Sequence, residues 1–149
     1  EKIINYSFSN KNINFEIIQK LSNLAENYDF NELADSFLSK NKKKISRILN
    51  ENNYSDEDCV AILRTILARS KRLLGIIKKL KHTKNIDEII STTKPPIFWK
   101  DKENVKKQAN TWKIDDLKNK IFQMNEIEML VKTHTKNSLN LISDFIVNN

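Results

Sequence analysis

One glycine, Gly75, among 149 residues is the feature that most limits what this chain can become. Tight hairpins and phosphate-cradling loops need residues at positive φ, and glycine is the residue that adopts it without strain. A Rossmann or P-loop nucleotide site needs several glycines for close backbone approach, so both are excluded. With two prolines as the other breakers, the sequence predicts an all-α fold.

Leu, Ile, Val and Phe make up 45 of the 149 residues, ample to drive a core and to exclude disorder of the whole chain. At this length a compact fold needs no disulfide or metal staple. One cysteine, Cys59, and two distant histidines exclude the usual zinc sites. A lone cysteine fits a reducing compartment, and no apolar run reaches membrane-spanning length, so a cytoplasmic protein with no membrane partner is the expectation. Opening on Glu1 rather than Met, the sequence reads as a piece of a longer chain.

The net charge of +7 is concentrated in one place. Residues 61–107 hold 13 cations against 4 anions, whereas the flanking segments are nearly balanced. Lys outnumbers Arg by 22 to 4, which favours point-charge contacts over bidentate forks. An abundance of Lys, Asn and Ile together also suits a base-composition bias in the gene.

Apolar spacing of three and four recurs along the chain. Residues 1–8 read as the tail of a helix, 9–12 as a polar break, and 14–26 as a helix with Phe15, Ile18, Leu21 and Ala25 on one face. Asn27-Tyr28-Asp29 is expected to end it, with Asp29 capping a short helix that holds Leu33, Phe37 and Leu38. A further short helix is expected over 41–52. The best-specified element starts at Ser55, where Ser55 and Asp58 approximate a capping box and Tyr54 and Cys59 a hydrophobic staple. It should run to about Leu80, with a wide apolar stripe that includes Ile62, Leu73, Leu74, Ile76 and Ile77. Arg64, Lys71, Arg72, Lys78 and Lys79 are expected on the opposite arc. Shorter helices follow over 86–91 and 101–112, then a long one over 114–133 and a last one over 137–147.

Catalytic combinations are scarce. His82 and His134 lack an adjacent nucleophile with an orienting third group and read as solvated side chains at helix ends. Cys59 lies among Asp56, Glu57 and Asp58, which oppose a thiolate, so it reads as a small core residue. Asp87-Glu88 and Asp115-Asp116 fall in first helical turns, where the macrodipole explains them. The basic third is more informative. Trp99 is flanked by Lys94, Lys100 and Lys102, with Lys106 a turn further on, and an aromatic among cations is how single strands are stacked and held. If Ile97, Phe98 and Trp99 are all core, the lysines only solvate the surface.

Two runs, Val60-Ala61-Ile62-Leu63-Arg64 and Arg72-Leu73-Leu74, lie on the predicted long helix. They are followed by Lys94-Pro95-Pro96-Ile97-Phe98-Trp99-Lys100 and by Val105-Lys106-Lys107-Gln108 leading to Trp112. This order resembles the C-terminal region of the bacterial DNA polymerase III delta subunit, over roughly residues 13–149. The resemblance implies a helical bundle like the clamp-loader collar domain at 27–149, preceded by the end of a small helical lid domain at 1–26. It implies a non-catalytic part of the polymerase holoenzyme, a nucleotidyltransferase complex. No cofactor is expected, and the partners would be gamma/tau-type and delta-prime-type loader subunits and primed DNA. Sliding-clamp binding would belong to an N-terminal domain outside this sequence. Ile62, Leu73, Leu74, Ile76 and Ile77 become candidates for subunit contacts, and Trp99, Lys94, Lys100, Lys102 and Lys106 for DNA contacts. A free-standing basic helical domain that binds nucleic acid is the alternative, and an enzyme of unknown type a more distant one.

Overall fold

A helix whose apolar stripe is too wide for one neighbour must be surrounded, and that requirement organises the molecule. The computed structural model describes residues 24–83, 85–133 and 137–148, with side chains from Phe30 onward. The features expected over 1–12, most of the helix over 14–26, and His134 lie outside the described residues. Seven helices are seen: α1 (Leu24–Leu38), α2 (Lys42–Glu51), α3 (Cys59–Leu80), α4 (Ile86–Thr92), α5 (Lys102–Thr111), α6 (Ile114–Thr133) and α7 (Ser138–Val147). A 3-10 turn, Trp99–Asp101, leads into α5. Among the described residues there is no strand, as the glycine content requires.

α3 is the axle. It packs against α1, α4, α5, α6 and α7, and nine of its residues are buried, from Cys59 and Ile62 to Ile76 and Ile77. Each fully buried Leu or Ile contributes about 1.5–3 kcal/mol by leaving water. Ser70 is also buried, its hydroxyl donating to the Ile66 carbonyl at 2.8 Å, so no polar atom is stranded. The aromatic layer lies at one end, where Phe37 stacks on both Trp112 (6.2 Å) and Phe145 (6.0 Å).

Two expected features differ. The break at Asn27-Tyr28-Asp29 is absent, because α1 runs unbroken from Leu24 to Leu38. Phe30, Leu33, Ala34, Phe37 and Leu38 are buried along it, and that packing outweighs the poor helix propensity of Asn and Asp. The expected boundary between residues 26 and 27 thus falls inside α1. α3 begins at Cys59 rather than at Ser55. The Ser55 hydroxyl donates to the Asp58 carboxylate at 2.9 Å, beside a 2.8 Å bond from its own N–H, and so does not cap the helix. Asp56 accepts the Leu139 N–H at 2.8 Å and caps α7 from 83 positions away.

The turns are made without glycine. Lys40 takes φ 52° after α1, and the bonds Lys40 N–H to Phe37 O and Asn41 N–H to Ser36 O, both 3.0 Å, complete a Schellman motif. Trp112 then donates its indole N–H to Leu38 O at 2.7 Å, tying the end of α5 to the end of α1.

Leu73 is 2% exposed at the middle of the axle. Leu73→Ala is expected to cost about 2–5 kcal/mol of stability in urea unfolding, and a cost under about 1 kcal/mol would place it outside the core.

Candidate nucleic-acid interface

The prolines interrupt helix formation after α4, and the chain from Thr93 to Phe98 crosses the surface in extended form before the 3-10 turn. Two anchors hold this loop. Thr93 is buried and donates to Ile89 O at 2.6 Å, and Ile97 is buried in the core. The Lys94–Pro95 peptide is cis. Between and beyond the anchors the side chains face water. Trp99 is 68% and Phe98 59% exposed, with ring centroids 6.0 Å apart. Lys100 Nζ lies 5.4 Å from the Trp99 ring, Lys94 is exposed, and Lys102 is half-buried. Of the two sequence readings of Trp99, core or exposed aromatic among cations, the structure shows the second for Trp99 and Phe98 and the first only for Ile97.

The remaining candidates divide. Lys106 is withdrawn: its ammonium bridges Asp87 at 2.7 Å and Glu103 at 2.9 Å, tying α5 to α4. Hydrogen bonds to those two carboxylates hold its pKa above the ordinary lysine range. Arg64 and Arg72 do not form a free cationic arc either. Arg64 pairs with Glu128 at 3.0 Å across α3 and α6, and Glu128 also takes Lys132 at 2.7 Å. These hydrogen bonds hold the Glu128 carboxyl below its ordinary value. Arg69 pairs with Asp35 and with Asn31. Burial pulls the Arg72 pKa down, Arg69 adds to that, and Asp35 and Asp101 oppose it. Burial raises Asp35 in turn, against the pull of Arg69. Arg64 and Arg69 therefore close joints between helices, while Lys71, Lys78 and Lys79 on α3 and Lys81 just beyond it stay exposed and outside any ion pair seen among the described residues.

The five residues expected at subunit contacts lie elsewhere than on a free surface. Ile62, Leu73, Ile76 and Ile77 are buried inside this chain's own core, and Leu74 is half-buried. The spacing had marked them correctly as apolar stripe, but five helices of the same chain cover it. Exposed apolar side chains gather instead on α6, where Phe122 (64%), Met129 (70%) and Leu130 (49%) face solvent. Sequence reasoning did not single these out; the buried face of α6 carries Leu117, Met124 and Val131.

Sequence reasoning missed Lys107. It lies, with Asn104 and Thr111, along the face of α5 that borders a polar cleft of about 300 Å³. The spacing 100, 104, 107, 111 was the available signal. No catalytic set forms among the described residues. Cys59 is buried, and burial first, then Asp56 and Asp58, push its thiol up to about 11. His82 is exposed at the end of α3, as expected. No group of three or more metal-ligating side chains occurs among the described residues, and none of the helices described there is long and apolar enough to cross a membrane. Comparisons with known protein families, characterised proteins and solved structures find no match for this chain.

The two tryptophans give a direct check. Trp112 is 4% exposed and hydrogen-bonded, and Trp99 is 68% exposed. In single-tryptophan chains, the Trp112→Phe variant is expected to emit at long wavelength and quench readily with acrylamide, and the Trp99→Phe variant to do neither. Protected emission from Trp99 would remove it from the interface.

Proposed function

We propose that this chain is the C-terminal helical region of a delta-type clamp-loader subunit, and that it grips DNA through the Phe98–Trp99 knuckle. The exposure of Trp99 on an anchored loop, with Lys100 over its ring and Lys94 and Lys102 nearby, is the observation that carries the reading. Leaving so much indole in water has no benefit for folding. A base stacking on the ring would recover that surface, and the lysines would meet the phosphates. In a loader this role falls at the junction of primed DNA, where an unpaired template base is available. No step of catalysis is assigned to the chain.

A collar also needs a surface for gamma/tau-type and delta-prime-type partners. Because Ile62, Leu73, Ile76 and Ile77 are interior, the surface proposed for that contact is the exposed Phe122–Leu130 face of α6. A free-standing nucleic-acid-binding domain is favoured by one observation, the cover of the apolar stripe of α3 by helices of its own chain.

Trp99→Ala is expected to weaken binding of a labelled single-stranded oligonucleotide by about 1–3 kcal/mol, with the unfolding midpoint unchanged because the side chain is exposed. A lowered midpoint with unchanged affinity would sink the DNA role. Co-expression with the other loader subunits, followed by native mass measurement, tests the collar. Assembly is expected, and is expected to be lost on Met129→Asp without loss of fold. A chain that stays alone in the presence of complete partners is the free-standing domain.

A further inference from the structure

The cleft beside α5 is lined by polar side chains from three separate segments. Asp35 belongs to α1, Asn41 and Lys44 to the start of α2, and Asn104, Lys107 and Thr111 to α5. Its volume of about 300 Å³ admits a phosphate group with part of a sugar. The one acidic group on its wall, Asp35, is neutralised by Arg69. Lys44 shares its charge with Glu32 at 2.8 Å, and Lys107 is exposed with no ion pair among the described residues. The local balance is therefore cationic. The lining hydroxyls of Ser36, Ser39 and Thr111 already donate within the protein. The side-chain amide N–H groups of Asn41 and Asn104, whose oxygens accept from Lys44 N–H and Ser39, are the neutral donors that face an anion.

α5 leads from the Trp99 turn to the cleft. Positions 100, 104, 107 and 111 follow one another at helical spacing, so a line of polar side chains runs from the Trp99 turn along α5 into it. From Lys100 to Lys107 is roughly 10 Å along the axis, about three nucleotide steps at some 3.4 Å each.

We propose that this cleft seats a backbone phosphate of the strand whose base lies on Trp99, with Lys107 and Lys44 as its cations. The inference rests on the DNA-gripping reading above, but its chemistry, a phosphate in a polar cleft, can be read separately.

The experiment uses the 149-residue chain with two probes, inorganic phosphate and a single-stranded oligonucleotide. Amide resonances of Asn41, Asn104 and Thr111 are expected to shift with both. Lys107→Gln is expected to lower the slope of log affinity against log salt by about 0.7 for the oligonucleotide, whereas Lys118→Gln, on α6, leaves it unchanged. If the strand binds but the slope and the cleft amides do not respond, the cleft proposal is overturned and the knuckle stands. If the strand does not bind while phosphate still shifts the amides, the DNA reading falls and the backbone source falls with it, leaving a site for free phosphate. If neither probe acts, both are wrong.

Discussion

Removal of the wide apolar stripe of α3 from water is the constraint from which the rest of the structure follows. A 22-residue helix with nine buried positions cannot be satisfied by a single neighbour. It therefore collects α1 and α6 along its length and α4, α5 and α7 against its remaining arcs. Once those are seated, the loop after α4 has only one course, over the surface between α4 and α5. The exposed knuckle is a consequence of that route: Thr93 and Ile97 fasten the loop, and Phe98 and Trp99 are what remains above the fastening.

Charge is divided by type. Two arginines of α3 join helices: Arg64 reaches Glu128 on α6, and Arg69 reaches Asp35 on α1. A guanidinium keeps its charge when half-buried and offers several donors in a fixed fork, which suits such joints. Among the described residues, the lysines of the same third stay in solvent or beside the knuckle, apart from Lys106, which bridges α4 and α5. The composition that looked like one basic patch is thus two populations, one structural and one free.

Much of the fold was legible. Spacing of three and four placed α2 through α7 within a few residues, because long amphipathic helices impose a period that local exceptions cannot hide. Asn27-Tyr28-Asp29 misled because propensity is a weak local force beside the burial of Phe30, Leu33 and Phe37. The α3 stripe was identified, but which molecule covers it cannot be read from periodicity, since an internal helix and a partner subunit impose the same pattern. Lys106 and Lys107 were equally basic in the sequence. Only the positions of Asp87 and of the cleft, both set by tertiary packing, separate the tied cation from the free one.

The bond from Leu139 N–H to the Asp56 carboxylate reaches across 83 positions. α7 has ten residues, fewer than an isolated helix needs to persist in water. Its own preceding residue, Asn137, makes no side-chain cap. The first turn of the last helix is therefore completed by a group that belongs to the approach to α3. That bond exists only when both segments are in place, so the first turn of α7 and the approach to α3 are ordered together. The tail of the chain inherits its order from the middle.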